Sequence, residues 1–268
     1  MSLWPQGCIF FQMNKLERPD GIIVCSDELV EIAYSGVVLG NTAPRLETIA
    51  GDAERNLSRL RGAVGLGQLA LIKAQQMPEF TDLGGLSIDD IESMYLTDGL
   101  FTDSSDVVLG VRPADCAVMV YHSANGENAL GLIHGGTLGV DGDIHLAALE
   151  HMTSHYSVAA SDVRITFTPS IHAASYYFPS IRPEQLADER WMKHIDYRDD
   201  VYHIDILARI VTDLTANGIE PSQLDISPID TGADPAYFSH ARSVRTGELE
   251  GRNGVVTKLL PRPQTDQR

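Results

Sequence analysis

The sequence predicts a mixed α/β fold, an α+β arrangement in one domain, with mixed β-sheets packed against helices. Three observations carry this. Eight runs rich in β-branched and aromatic residues are bounded by Gly, Pro, Asn or Asp, as strands are. Four stretches read as helices, one of them with apolar residues at clear helical spacing. Strands and helices alternate without a fixed period, no βαβ unit carries a GxGxxG turn, and no linker or solenoid repeat divides the chain. With 268 residues, 43% of them hydrophobic, one domain over 1–268 with its core at about 20–260 is expected.

In order, the expected strands are GIIVCS (21–26), LVEIAYSGVVLG (29–40), VVLGVRP (107–113), CAVMVYH (116–122), ALGLIHG (129–135), VRITFTPS (163–170), LDISPID (224–230) and GVVTKLL (254–260). The expected helices are 46–62, 143–157, 183–196 and 203–217. Pro183 suits a first helical turn. Ile206, Ile210 and Leu214 form an apolar stripe that Asn217-Gly218 ends.

The net charge of −17 disfavours nucleic acid and anionic membrane surfaces as partners, since no dense Lys/Arg block offsets it. No run of about 18 apolar residues suggests a transmembrane helix, and MSLWPQGCIFFQM lacks the basic start and long apolar run of a signal peptide. Cys8, Cys25 and Cys116 are odd in number and widely spaced, which suits reduced thiols. A cytoplasmic protein with a small-molecule substrate is the expectation.

Residues 116–122 and 129–135 flank Asn125-Gly126, a strong hairpin signal. Register decides whether Cys116 and His134 meet. A two-residue turn centred on Asn125-Gly126 pairs Cys116 with Gly135 and sends His134 to the opposite face. A three- or five-residue loop sets Cys116 directly across from His134. A thiol beside an imidazole serves as an activated nucleophile or as two ligands of a zinc site. The plainer account is a buried cysteine and a satisfied core histidine. Asp115 either orients His134 or caps a turn. Gly135 and Gly136 precede a helix start and leave backbone N–H groups for an anion. His145, His151 and His155 read as a solvated helix face, with no glutamate between the last two to make HExxH. His122 and His172 are candidates for supporting roles.

DGLFTDSSDVVLGVRPADCAVMV (98–120) and IHGGTLG (133–139) resemble two motifs of the laccase-domain family, also called polyphenol oxidase, YfiH-like or purine nucleoside phosphorylase-like. TPSIHAASYYF (168–178), YHIDILARIVTDLTANGIEPSQLDI and DTGADPAYFSHARSVRTGELEGRNGVV resemble its later segments in order and spacing. The resemblance implies an α/β fold with mixed sheets, a site of two histidines and one cysteine that often holds zinc, and phosphorolysis of purine nucleosides with adenosine deamination alongside. Phosphate would be the co-substrate. Cys116 matches the cysteine and His134 the second histidine.

The departures bear on the chemistry. Gln76, in LIKAQQMPEF, stands where the first histidine belongs, and an amide is a poor zinc ligand. Thr137 and Leu138 replace a tryptophan and an arginine, Tyr177 a glutamate, and Asp230 a cysteine. Arg112 stands at a usually apolar position, where it either restores a cation or pairs with Asp115. Arg242 matches an arginine of the last motif, either as an anion-binding group or in a surface salt bridge. Copper is disfavoured, because the clustered His-x-His pairs of copper oxidases are missing. Three functions fit these residues: a purine nucleoside enzyme, a cysteine hydrolase or deamidase using Cys116 and His134, or a homologue that binds a ligand or partner without turnover. The second draws on a fold likeness to a bacterial toxin deamidase with such a dyad.

Overall fold

The computed structural model describes residues 12–261 apart from 47, 48 and 126. Cys8 and most of the N-terminal segment read above lie outside them. Two large sheets stack face to face. The first runs Asn14–Glu17, Ile22–Ser26, Val30–Ser35, Val255–Leu259, Val107–Val111, Gln68–Ile72 and Met94–Tyr95. The second runs Leu224–Ile226, Val163–Phe167, Ala117–Ser123, Leu130–Gly135, Gly99–Thr102 and Phe80–Asp82. A small three-stranded sheet adds Tyr177–Phe178, Val201–Ile204 and Ile195–Arg198.

Alternation along each strand sorts side chains into layers. Val118, Val120, Leu130 and Leu132 face Ile32, Leu109 and Val255 between the sheets. Met119, Tyr121, Ile133 and Phe167 face the helices, meeting Ala148 and Met152 of Ile144–Ser154 and Ile210 and Leu214 of Ile206–Ala216. The outer face of the first sheet packs Ala33, Val108 and Val256 on Leu60 of the helix Asp52–Ala63. Central strands are therefore covered on both faces, which is why they read as unbroken apolar runs.

Several expected elements are shorter, for local reasons. The strand expected over 29–40 ends at Ser35, where Gly36 passes against the Ala236 carbonyl and Val37 N donates to it at 2.7 Å. Pro113 follows the end of Val107–Val111, and the strands expected over 163–170 and 224–230 stop at Phe167 and Ile226. The helix expected over 183–196 is two helices, Pro183–Ala187 and Glu189–Met192. Asp188 is extended and caps the second through Arg190 N at 2.8 Å. Residues 195–198 and 201–204 are strands, so the helix expected from 203 starts after Asp205, whose carboxylate caps Ala208 N at 2.8 Å. The helix expected over 143–157 is Ile144–Ser154, preceded by the five-residue Thr137–Asp141.

His145 and His151 are not a solvated face. His145 is buried with Nε2 on Asp213 at 3.0 Å, and His151 packs between Phe80 and Phe101. Only His155 is exposed.

Candidate active site

The hairpin sets the site. Gly135 pairs with Ala117 and His134 with Val118, the strands being joined by residues 124–129. Neither register considered above forms. The pairing continues to set Cys116 beside Gly136, which leaves His134 diagonal to it on the same face. A Cβ added to Gly136 would lie 3.1 Å from His134 Cε1 and 3.7 Å from Cys116 Sγ, so all three line one space. Cys116 is half-buried and unbridged.

His134 Nδ1 meets Asp98 Oδ1 at 2.7 Å, and His134 N donates to the Asp98 carbonyl at 2.7 Å. Asp98 precedes the buried strand Gly99–Thr102 and is itself fully buried. Its other oxygen accepts from Gln75 N at 2.8 Å and Met77 N at 3.0 Å. Burial would raise its pKa, but hydrogen bonds from His134 and these two amides bring it below the usual carboxylate range. Burial would likewise depress His134, yet the charge of Cys116, the Asp98 hydrogen bond and a hydrogen bond to Cys116 raise it to about 10. With Nδ1 on Asp98, Nε2 is the nitrogen left for Cys116 and a substrate.

The acid that orients His134 is thus Asp98 and not Asp115. Asp115 Oδ1 accepts from Thr231 Oγ1 at 2.8 Å, Oδ2 from Ala241 N at 2.7 Å, and its carbonyl from Ile171 N at 2.8 Å. It fastens the turn before Cys116 to three distant segments. Both Asp115 (φ 84°) and the exposed Gln76 (φ 58°) are left-handed, a conformation costly for residues with a Cβ. Gln76 sits between the two amides that hold Asp98, so its loop is tied to the histidine's own partner.

Arg242 does not offer a free guanidinium. It donates to the carbonyls of Thr231 (2.6 Å), Asp234 (3.1 Å) and Tyr237 (2.6 Å) and pairs with Glu248 at 2.6 Å. It braces a loop, as an arginine's five donors allow. Arg112 does not pair with Asp115; it is half-buried, and burial and the nearby Arg45 charge lower its pKa. Gly135 turns away from the site: a Cβ added there would meet Met119 Cε at 2.9 Å and the Ala117 carbonyl at 3.3 Å. Thr137 and Tyr176, unremarked in the sequence beyond their motifs, join their hydroxyls at 3.1 Å. Burial pushes the Tyr176 phenol up, and the charge of Cys116 adds to this. Asp98 was legible only as the acid before an apolar strand.

The donor set does not fit a resident zinc ion at Cys116 and His134. Among the described residues, groups of three close His, Cys, Asp or Glu donors occur elsewhere, at Asp82, His151 and His155 and at Asp143, His145 and Asp213. Gln76 supplies only an exposed amide.

Two stacked mixed sheets with a Cys–His–Asp cluster at the end of a central hairpin define a laccase-domain protein of the YfiH type. The chain belongs to the multi-copper polyphenol oxidoreductase laccase family, whose profile matches residues 41–256. It is 27% identical over 199 residues to a purine nucleoside phosphorylase of Mycobacterium tuberculosis, covering 72% of this chain and 76% of that protein. It is 29% identical over 170 residues to the purine nucleoside phosphorylase YlmD of Geobacillus stearothermophilus, 60% of this chain and 61% of that one. The crystal structure of that YlmD superposes with a TM-score of 0.75 at 19% identity, covering 93% of this chain and 100% of the other. The hypothetical protein YfiH of Bacillus licheniformis gives 0.75 at 15% identity, covering 92% and 99%. No helix among the described residues is long and apolar enough to cross a membrane.

Proposed function

We propose that the chain cleaves purine nucleosides by phosphorolysis at Cys116, His134 and Asp98. The observation that carries this is the His134 imidazole, held by the Asp98 carboxylate at 2.7 Å and lining one space with Cys116, in a chain whose relatives are named purine nucleoside phosphorylases. In phosphorolysis the C1′–N9 bond breaks as a phosphate oxygen bonds C1′, and the leaving purine takes a proton at N7. His134 donates that proton from Nε2 while Asp98 holds Nδ1. Deamination of adenosine would use the same donor for the departing amine. Arg112 is the cation for the phosphate: it has no ion-pair partner among the described residues, and the adjacent Arg45 charge favours an anion there. No step here is routed through a metal.

The test is release of free base from adenosine, inosine and guanosine, with and without phosphate, beside a Cys116→Ala variant. Phosphate-dependent release that falls by about 100-fold or more in the variant is expected. No base from any nucleoside would sink the reading. The Asp98–His134 contact of 2.7 Å also supports a second one, a Cys–His–Asp hydrolase with Cys116 as nucleophile. Rapid single-site alkylation of Cys116 near neutral pH, with amide or ester hydrolysis indifferent to phosphate, would favour it.

A further inference from the structure

At the opposite end of the strand Gly99–Thr102 from Asp98, about 10 Å along the chain direction, a second cluster forms that the proposed reaction does not use. Asp82 closes the edge strand Phe80–Asp82 and pairs with Phe101. His151 lies in the last turn of Ile144–Ser154, and His155 is its C-cap. At i and i+4 the two rings share one helix face and stack with centroids 4.7 Å apart, 8° from parallel. Both Nε2 atoms converge on one oxygen, Asp82 Oδ2, at 2.6 Å from His151 and 3.2 Å from His155.

We propose that Asp82, His151 and His155 bind a first-row divalent cation, Zn²⁺ by their chemistry. Two imidazoles and a carboxylate are the donor types such ions take with three protein ligands and an open position. Calcium and magnesium call for oxygen donors instead. The orientation is already set. Asp82 Oδ1 accepts from Tyr156 Oη at 2.6 Å and Gly84 N at 2.7 Å, which turns Oδ2 toward the histidines. The His151 ring is fixed between Phe80 and Phe101, with centroids at 4.7 and 4.6 Å. Tetrahedral ligands at about 2.0–2.1 Å from zinc stand about 3.3 Å apart. His155 is already at that spacing from Asp82, and His151 needs to open by about 0.7 Å. The His155 side chain is 58% exposed, so the fourth position faces water. Bound metal would tie the end of the helix to the sheet edge.

The other triad of donors, Asp143, His145 and Asp213, is already filled by the buried Arg209, whose Nε meets Asp213 at 2.5 Å.

The experiment separates this cluster from Cys116. Chelator-stripped protein carrying Cys116→Ser is titrated with Zn²⁺ by calorimetry and with Co²⁺ by visible absorption, beside the same chain with His155→Ala. His155 is exposed, and equal thermal unfolding of the two chains in chelator shows that both fold. The expected result is one equivalent of metal in Cys116→Ser, a cobalt spectrum without a sulfur charge-transfer band, and shifted His151 and His155 nitrogen resonances. His155→Ala should weaken binding by about 100-fold and remove the zinc-induced rise in Tm, and Tyr156→Phe should weaken it by about 10-fold. Absence of binding once Cys116 is replaced, or binding indifferent to His155→Ala, overturns the proposal.

Discussion

Replacing Asp98 with Asn keeps the side chain's shape and removes one charge and one acceptor. Asp98 Oδ2 holds the amides of Gln75 and Met77, and Oδ1 holds His134 Nδ1. An amide has one oxygen, and the two backbone donors claim it. Its NH₂ then faces Nδ1, which must accept, so the ring is held neutral with its proton on Nε2. His134, at about 10 in the native chain, should fall when the Asp98 hydrogen bond and charge are lost, while the Cys116 charge, the larger raising cause, remains. A neutral ring with its proton on Nε2 is a far weaker acid than the imidazolium, so transfer to the leaving purine slows by the factor of about 10²–10⁴ that general acid catalysis typically contributes. Base release should drop here by between about 10² and 10⁴. Imidazole nitrogen resonances followed against pH report the first effect and product assays the second. A variant in which His134 still titrates near 10, or turns over as the parent does, refutes the role given to Asp98.

The pH dependence of stability has two limbs. His134 is raised from 6.5 to about 10, so its contribution is complete below 6.5 and is lost as pH rises through about 10. Asp98 is depressed, so its contribution is present above 3.8 and fades as pH falls through its folded value. Urea unfolding across about pH 2 to 11 should show both limbs in the native chain and a weaker alkaline one in Asp98→Asn. Arg209, fully buried against Asp213 and over the Trp191 ring at 5.2 Å, should cost about 3–5 kcal/mol on replacement by Ala, because Asp213 loses its cation while Asp143 keeps Arg190 at 2.9 Å; the same unfolding curves measure it. Arg112→Ala should raise the phosphate KM with little change in nucleoside KM, whereas Arg242→Ala should lower Tm, since its four bonds brace the loop 231–237 and Glu248. The reverse pattern would exchange their roles.

How much was legible follows from what each feature depends on. The hairpin and the helix stripe at Ile206, Ile210 and Leu214 are local, whereas the register that sets His134 diagonal to Cys116 matches neither pairing read from the turn. A period of two or of 3.6 residues is written in neighbouring side chains, and central strands buried on both faces make it loud. The edge strand Asn14–Glu17 is wholly exposed, and Phe80–Asp82 is three residues long, so neither leaves a period to read. The site's acid could not be picked from the sequence. Asp115 is one residue from Cys116, whereas Asp98 lies 36 residues from His134, and only the pairing of Gly99–Thr102 with Leu130–Gly135 brings it to Nδ1. Arg242 matched an anion-binding motif position until the fold closed carbonyls around it.

The sequence by itself determined the class of fold and the hairpin that carries Cys116 and His134, because these rest on patterns within a few residues. The tertiary structure alone decided which register the hairpin takes, which carboxylate holds the histidine, that Arg242 is bound by carbonyls, and that a helix end and a sheet edge set two imidazoles on one oxygen. The last three are meetings of groups apart in the chain. A buried charge is fixed by the partners that surround it, and partners are assigned only when the sheets are stacked.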